Sequence, residues 1–434
     1  IEKPAGQHGF VGVDGERFVF QDGTEARFWG AQLGLFDKPE MDYAARRLRK
    51  QGINIVRYHG LGFLQDREGD SVFDYSHEGF DRLDYAIYRL GQEGIYLILD
   101  VDYCLPLRSG DGIEGLPDGQ RSTYLMFFND EVAEIKRQRM TDVFTRRNPY
   151  TGKRYCDDPA IAMVEVCNED SMFWYGVSRL AEPFASQLAD RFKKWLRRKY
   201  GGQKALKEAW TRDGVCALAD GEGLSPDATM GMMGMWEFSD RGLAEHPERE
   251  TRGLDQLRFF LDLERRYFQG SCRHLRKIGV KVPISATNWK GGGFSSRIHL
   301  RGQAELDYVD RHGYWDHPQG EGNTKWRIRT CRLFNLPMVK AVVAGHDAQQ
   351  ENNVGNLVLS KAWERVLGKP LSISEWNTCL PNEYSLEGTG LMAAYGLLQG
   401  WNAPLQFGYF SSHYPRKLGP GSFDMLGNPP QILQ

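Results

Sequence analysis

Residues 370–377 read PLSISEWN, a short apolar run that ends on the carboxylate of Glu375. The first half of this run predicts a buried strand, and the end of such a strand can hold a reactive group in place. A second run, residues 160–170, reads AIAMVEVCNED and carries Asn168 and Glu169 near its end. Two carboxylates at two strand ends suit acid–base chemistry on one substrate, provided that the fold brings them together.

The composition excludes several classes of protein. The 434 residues are 41% apolar, which suits one large α/β barrel or two ordinary domains with a real core. The formal net charge of −2 gives no basic footprint for nucleic acid. No apolar run reaches the ~18 residues that a membrane span needs. Seven cysteines, an odd number without a CxxC pair, indicate neither a disulfide framework nor a zinc ribbon.

Strand-like and helix-like segments alternate along the chain. The eight principal strands are predicted at residues 27–33, 53–59, 95–102, 161–167, 282–286, 306–310, 371–374 and 405–410. Amphipathic helical patterns separate most of them, which predicts right-handed βαβ units and a parallel sheet. Eight strands is the number that closes a barrel, so we predict an α/β fold, a (β/α)8 TIM barrel, over residues 25–415.

Three further features complete the predicted fold. Two Asp-Gly pairs predict an N-terminal β-hairpin over residues 1–24, packed on the barrel. A long helical insertion is expected between strands 4 and 5, with residues 211–251 as a loop-like part. A short strand at residues 338–343 would be surplus to the barrel. Residues 416–434 are expected to form a C-terminal tail, after which a further domain could have been removed.

Polar and aromatic residues follow nearly every predicted strand. Functional groups of a parallel barrel lie at the carboxyl ends of its strands, so these residues should share one face. We take Glu169 and Glu375 as the candidate catalytic residues. The candidate substrate-binding residues are Arg57, His59, Asp102, Asn168, Trp289, His312, Tyr314, Trp315, Trp376 and Tyr409. Glu165 lies inside its strand, and we expect it to form a buried ion pair instead.

Several motifs resemble the large clan of retaining glycoside hydrolases with (β/α)8 barrels, called clan A. Asn168-Glu169 resembles the acid/base motif of that clan, and residues 375–377 resemble its nucleophile strand. Arg57 and residues 312–314, which read HGY, match two further positions. Together these motifs are a specific signal, whereas each alone is weak.

Longer segments resemble two families of that clan. Residues 148–152, which read NPYTG, and residues 158–160 resemble bacterial family 5-like glycosidases of the cellulase and mannanase type. Residues 200–210 are similar to a connector in family 42-like β-galactosidases. The resemblance covers residues 24–412. Departures from the family pattern, which leave the sugar undetermined, are Gln32, Asp102, Asp170 and Tyr409.

The resemblance implies a retaining β-glycoside hydrolase that cleaves a β-linked oligo- or polysaccharide by double displacement. Glu375 would be the nucleophile, kept ionised by Arg57 and Tyr314. Glu169 would be the acid/base, with a pKa raised toward the working pH by the charge of Glu375. Asn168 would bond the sugar 2-hydroxyl, a contact that strengthens in the transition state. No cofactor is implied.

Other readings stay open. The loop with Asp310, His312, Asp316 and His317 could bind a cation, but its spacing requires none, so no metal site is assigned. A non-catalytic carbohydrate-binding barrel is the main alternative, although both carboxylates are present. An aldolase would need a Schiff-base lysine, and a metal-dependent hydrolase a His/Asp ligand set; we find neither at the strand ends.

Aromatic richness and location are less determined. Aromatic residues make up 12% of the chain, which fits either a large core or a sugar-binding surface. No signal peptide is visible, but the chain begins with Ile1 rather than Met, so we expect a trimmed form. The resemblance implies a secreted or periplasmic protein. Linkage, endo or exo action and oligomeric state are left undetermined.

Overall fold

The computed structural model describes residues 2–102, 105–174, 176–289, 295–339, 357–410 and 421–425. Its strands in chain order are β1 (Val11–Asp14), β2 (Arg17–Phe20), β3 (Glu25–Ala26), β4 (Gly30–Leu33), β5 (Ile55–Tyr58), β6 (Tyr96–Asp100), β7 (Ile161–Glu165), β8 (Thr211–Arg212), β9 (Val215–Cys216), β10 (Ile284–Ser285), β11 (Val309–Trp315), β12 (Leu371–Thr378) and β13 (Ala403–Tyr409). Its helices are α1 (Lys38–Lys50), α2 (His77–Gln92), α3 (Asp130–Thr145), α4 (Phe184–Tyr200), α5 (Gln203–Ala209), α6 (Asp240–Glu245), α7 (Glu250–Lys277), α8 (Ser295–Gln303), α9 (Leu357–Trp363) and α10 (Ser385–Gln399).

Eight of the strands form one parallel sheet in the order β10-β7-β6-β5-β4-β13-β12-β11. The two end strands of the sheet, β10 and β11, are consecutive strands in the sequence. Across the seam between them, the backbone N–H of Asp307 donates to the carbonyl oxygen of Ile284 at 3.1 Å. The sheet therefore nearly closes into a barrel with helices outside it, and the predicted fold class is confirmed.

Helix α2 shows how local sequence builds the outer layer. The side chain of Ser76 accepts a hydrogen bond from the backbone N–H of Gly79, which caps the first turn. Phe80, Leu83 and Ile87 recur at helical spacing and are all buried against the barrel. The period of the apolar residues thus fixes which face of the helix packs on the sheet.

The N-terminal strands cover the opposite end of the barrel from the candidate site. Strand β1 pairs with β2 in register, and β3 adds a third strand beside β2 where the sequence predicted only a hairpin. Phe18 of β2 packs edge-on against Tyr308 with ring centroids 5.3 Å apart. Ile55 and Tyr96, the first residues of β5 and β6, belong to the same buried cluster. This sheet therefore closes the amino-terminal end of the barrel.

Some predicted elements differ from the structure. Strand β11 begins at Val309 and continues to Trp315, beyond the predicted 306–310, because the polar residues Asp310, Arg311 and His312 are buried with hydrogen-bond partners. Strand β12 continues past Glu375, so the carboxylate lies within the strand. The predicted strand at residues 338–343 is wrong at its start, since Met338 and Val339 are helical; its remainder lies outside the described residues.

The long connection between β7 and β10 contains α4, α5, α6 and α7, which agrees with the predicted helical insertion. Within it, the segment treated as loop-like carries the small β8–β9 hairpin and α6. The predicted C-terminal tail is described only at residues 421–425. None of the helices in the described part of the chain combines the length and apolar character that a membrane span requires.

Candidate active site

Arg57 occupies the centre of the barrel's carboxyl end. It lies on β5, is fully buried, and donates through Nε to Glu165 Oε2 at 2.8 Å. Its Nη1 donates to Glu375 Oε1 at 2.8 Å, and its Nη2 donates to Asn168 Oδ1 at 2.6 Å. A further bond from Nη1 reaches Gln32 Oε1 at 3.2 Å. One guanidinium therefore ties together side chains from β4, β7, β12 and the loop after β7.

The two candidate catalytic carboxylates meet in space although they lie 206 residues apart in the chain. One carboxylate oxygen of Glu169 and one of Glu375 lie within 4.8 Å of each other and of a ring nitrogen of His312. The backbone of Glu169 has a φ of 44°, the left-handed region that non-glycine residues seldom adopt. Its N–H donates to Asn288 Oδ1 at 2.9 Å, which holds this strained turn.

Glu375 is buried and surrounded by donors. Its Oε1 accepts from Arg57, and its Oε2 accepts a short hydrogen bond from the hydroxyl of Tyr314. Nδ1 of His312 lies 3.5 Å from the same Oε2. Burial, together with the charges of Glu375 and Glu169, raises the pKa of Tyr314 well above its usual range, so the tyrosine stays a donor. Both carboxylate oxygens of Glu375 therefore have a hydrogen-bond donor.

Glu169 differs from the prediction in its pKa. Burial raises the pKa of its carboxyl, but the hydrogen bond and charge of His312 outweigh burial and leave the pKa below its ordinary value. Nδ1 of His312 lies 2.7 Å from Glu169 Oε1. The predicted raised pKa is therefore wrong for this arrangement, because the sequence did not reveal the imidazole contact.

Asn168 is oriented by its two partners. Its Oδ1 accepts from Arg57 and from Nδ2 of Asn288, the latter at 3.3 Å. The amide NH2 is therefore the group that can donate to a substrate hydroxyl. Nδ2 of Asn288 also donates to Glu165, which is fully buried in its ion pair with Arg57, as the sequence indicated.

His59 is held as a neutral donor. Because Oε1 of Gln32 accepts from Arg57, the Gln32 amide NH2 donates to His59 Nδ1, at 2.6 Å. Burial lowers the pKa of His59 well below its usual range, and the charges of Arg57 and His312 add to this effect. The neutral ring therefore carries its proton on Nε2.

A cavity of about 350 Å³ lies over the two carboxylates. The cavity is lined by His59, Asn168, Glu169, Tyr314, His317, Trp326, Glu375, Phe407, Phe410, Gly421, Ser422, Phe423 and Asp424. Its walls are mainly aromatic; the ring centroids of Tyr314 and Phe423, for example, are 4.8 Å apart. Charged groups at the bottom and aromatic faces on the walls suit a sugar ring.

Comparison with known proteins assigns the chain to a family. Residues 118–345, more than half of the chain, match the β-galactosidase model of glycoside hydrolase family 42. The chain belongs to glycoside hydrolase family 42. The predicted resemblance to clan A is thereby confirmed.

Relatives of this family 42 chain include enzymes of both predicted types. Over 212 residues it is 26% identical to mannan endo-1,4-β-mannosidase 1 of Arabidopsis thaliana, a match that covers 43% of this chain and 47% of that protein. The chain thus spans about half the length of this curated relative.

Solved structures share the fold. An endo-1,4-β-mannanase from Rhizomucor miehei superposes with a TM-score of 0.52 at 13% identity, over 92% of this chain and 90% of that one. A β-galactosidase from the haloarchaeon Halorubrum lacusprofundi superposes with a TM-score of 0.57 at 17% identity, over 93% of this chain and 57% of that one.

Trp315 and Trp376, two of the predicted substrate-binding residues, lie away from the cavity in this family 42 chain. Trp376 is fully buried on the outer face of the strand, and its ring centroid lies 5.7 Å from that of Trp29. Trp315 is also fully buried, and its Nε1 donates to the Leu336 carbonyl oxygen at 2.8 Å. Both belong to a cluster between strand and helices. Both predictions are wrong, because side chains alternate along a strand and these two point outward.

Three further candidates also lie away from the cavity. Tyr409 is fully buried against Phe36, because a register shift between Gln406 and Tyr409 changes the alternation of β13. Asp102 is buried in an ion pair with Lys136 of α3. Neither residue lines the cavity, so the structure does not support their predicted role. Trp289 is half-buried, with its ring 3.7 Å from that of Trp174, and residues 290–294 beside it lie outside the described residues.

Sequence reasoning missed much of the aromatic wall. Phe407 and Phe410 lie in the predicted eighth strand but received no role, and Trp326 received none either. Phe423 lies in the predicted tail, 48 residues beyond Glu375, with no local signal for a site. Such a wall could have been found only from the fold, since its members come from separate loops.

The cluster of carboxylates does not fit a metal site well. Arg57 lies 2.8 Å from Glu375, and a guanidinium beside a carboxylate competes with a cation for it. In the loop considered for a cation, Asp316 accepts backbone N–H bonds from Phe334 and Asn335, and Asp310 accepts from Ser374. These carboxylates therefore have structural partners, and the chemistry supported best is that of acid and base.

Proposed function

We propose that this family 42 chain is a retaining β-glycoside hydrolase. The observation that carries the proposal is the approach of Glu169 and Glu375 to within 4.8 Å. Retaining enzymes keep their two carboxyl groups about 5–5.5 Å apart, whereas inverting enzymes leave about 6.5–9.5 Å for a water molecule. The separation here leaves no room for that water.

Each residue has a role in the proposed double displacement. Glu375 attacks the anomeric carbon, the glycosidic C–O bond breaks, and Glu169 gives its proton to the leaving oxygen. Glu169 then takes a proton from water, which attacks the same carbon and releases Glu375. The amide NH2 of Asn168 donates to the sugar 2-hydroxyl, and Tyr314 and Arg57 hold the nucleophile.

The substrate in this proposal is a β-linked hexoside, either a galactoside or a mannan. The family model bears the name of a β-galactosidase, whereas the plant relative is named for mannan cleavage. We also propose that the protein is secreted or periplasmic, since an enzyme encounters glycan polymers outside the cytoplasm.

A panel of substrates tests the proposal. Aryl β-galactoside, aryl β-mannoside, β-1,4-galactan and β-1,4-mannan would be digested, and the first-formed anomer followed by proton NMR. We expect hydrolysis of one class with a β product first. A first-formed α product would contradict retention, and binding without hydrolysis of any member would favour a non-catalytic carbohydrate-binding barrel.

A further inference from the structure

A chain of hydrogen bonds runs behind Glu169 into the barrel. Asp310 Oδ2 accepts from Ser374 Oγ at 2.5 Å, and Ser374 Oγ lies 3.0 Å from His312 Nε2. The other ring nitrogen, His312 Nδ1, lies 2.7 Å from Glu169 Oε1. Asp310, Ser374 and His312 are all buried, so water does not interrupt the contacts. None of the steps proposed above uses Asp310 or Ser374.

The partners of Asp310 fix the direction of these bonds. Its Oδ1 accepts backbone N–H bonds from Arg311 and Ser374, each at 3.0 Å. An ionised carboxylate only accepts, so the single hydroxyl proton of Ser374 goes to Oδ2. The Ser374 oxygen is then an acceptor, and His312 must supply the proton from Nε2.

Because His312 Nε2 donates to Ser374, one proton remains to be placed between His312 Nδ1 and Glu169. With Nε2 protonated, the ring is either an imidazolium that donates from Nδ1 to the Glu169 carboxylate, or a neutral ring that accepts from the Glu169 carboxylic acid. The two forms differ only in the position of one proton along 2.7 Å.

We propose that Asp310 and Ser374 are positioning residues that keep His312 protonated on Nε2, so that His312 Nδ1 and Glu169 share the one proton that acid catalysis uses. This inference rests on the proposed function. When the leaving oxygen approaches, the N–H bond at Nδ1 breaks and an O–H bond forms on Glu169. Glu169 passes that proton to the oxygen, which keeps the electron pair of the broken C–O bond. In the second half, the proton that Glu169 takes from water restores the pair.

The surroundings of His312 favour this sharing. The charged or titratable groups that face it are Glu169, Glu165, Glu375, Asp310, Arg57 and His59. On its outer side, Lys361 of α9 donates to the His312 carbonyl oxygen at 2.6 Å. Four carboxylates nearby stabilise an imidazolium, and Arg57 opposes it. The low pKa of Glu169 has the same origin, because the hydrogen bond and charge of His312 outweigh the effect of burial on the Glu169 carboxyl.

Two variants break the chain in different ways. In Asp310→Asn the two backbone N–H donors keep the amide oxygen in place, so the amide NH2 donates to Ser374. Ser374 then donates to His312 Nε2, and the neutral ring carries its proton on Nδ1, where it cannot accept from Glu169. Ser374→Ala removes the link altogether. Ser372→Ala is the matched control, because Ser372 is also buried in β12 but donates to the Ala403 carbonyl oxygen at 3.1 Å.

Kinetics give the first readout. General acid catalysis contributes about 10²–10⁴-fold, so we expect kcat/KM for an alkyl β-glycoside to fall at least ~10-fold in Asp310→Asn and Ser374→Ala. For a dinitrophenyl glycoside, which needs little proton donation, the fall should stay within about 3-fold. In Asp310→Asn the basic limb of the pH profile should also move to lower pH, because the charge of Asp310 no longer favours the shared proton. Ser372→Ala should change neither property, and equal behaviour of all three variants would overturn the proposal.

Nitrogen NMR of histidine-labelled protein gives a readout that needs no activity, with the His312 signal assigned from a His312→Asn variant. The full chain should show His312 protonated on Nε2, whether or not Nδ1 also carries a proton, and Asp310→Asn should leave Nε2 unprotonated with the proton on Nδ1. An unprotonated Nε2 of His312 in the unmodified chain would overturn the inference. If the chain cleaved no glycoside while the NMR result held, the proposed function would fail and the assignment of the hydrogen-bond chain would stand.

Discussion

Nη1 of Arg57 lies 2.8 Å from Glu375 Oε1, and both side chains are almost wholly buried. The same guanidinium lies 2.8 Å from Glu165. Burial alone would lower the pKa of Arg57, but the charges of Glu165 and Glu375 raise it well above its usual range. The nucleophile candidate is therefore fixed by a cation that also holds the barrel interior together.

Removing that cation should destabilise the fold. In Arg57→Met two buried carboxylates lose their partner, so we expect the free energy of unfolding in urea to fall by about 3–5 kcal/mol. Arg212→Met is the control, because the pair of Arg212 with Glu250 is half-exposed and should contribute less than about 1 kcal/mol. Equal, small losses in both variants would contradict the central role of Arg57.

The hydroxyl of Tyr314 should matter for turnover, unlike that of Tyr409. Tyr314→Phe removes a donor to Glu375, and we expect kcat to fall about 10–100-fold with little change in KM. Tyr409→Phe is a matched control, since the Tyr409 hydroxyl is buried without a hydrogen-bond partner among the described residues. A loss of activity in Tyr409→Phe would restore its predicted place in the site.

The aromatic wall should bind the sugar. Phe423→Ala removes a ring that lines the cavity, and we expect KM to rise about 5–20-fold, equivalent to about 1–2 kcal/mol, with a smaller change in kcat. Trp363→Ala is the control, because Trp363 is 75% exposed on α9 and does not line the cavity. Unchanged KM in Phe423→Ala would show that the sugar binds elsewhere.

Asp170 should make stability depend on pH. Burial raises its pKa to about 7, although the backbone N–H of Tyr124 donates to it. The folded state therefore binds this proton more tightly than the unfolded state, whose carboxyl titrates near ~3.9. Stability should fall as the pH rises from about 4 to about 7. Asp170→Asn, which keeps the acceptor for Tyr124, should lack this loss and gain on the order of 4 kcal/mol at pH 8 relative to pH 4. Urea unfolding of both proteins at the two pH values measures the difference, and a pH-independent difference would refute it.

The fold and the two carboxylates could be predicted from sequence because each depends on short-range pattern. Apolar runs and helical periods place Glu169 and Glu375 at strand ends, and the barrel then brings strand ends together. The ion pair of Glu165 could be predicted from its position inside an apolar run, because removing a charge from water is costly unless the charge has a partner.

The rest depends on geometry that local sequence does not encode. Tyr409 points into the core because of a register shift in β13. Trp315 and Trp376 point toward the helices because side chains alternate along their strands. Phe423 reaches the cavity from a separate segment. The pKa of Glu169 follows from His312, which lies 143 residues away in the chain, so only the folded structure reveals its direction.

Chemical rescue tests the division of labour between Glu169 and Glu375 most directly. In Glu375→Ala, azide should occupy the space of the lost side chain and restore turnover with a glycosyl azide of inverted configuration. In Glu169→Ala, a substrate with a good leaving group should still form the glycosyl-enzyme, and azide should release a glycosyl azide of retained configuration. Proton NMR of the two products decides between them. The opposite stereochemical pattern would reverse the two roles, and full activity in both variants without azide would contradict the site.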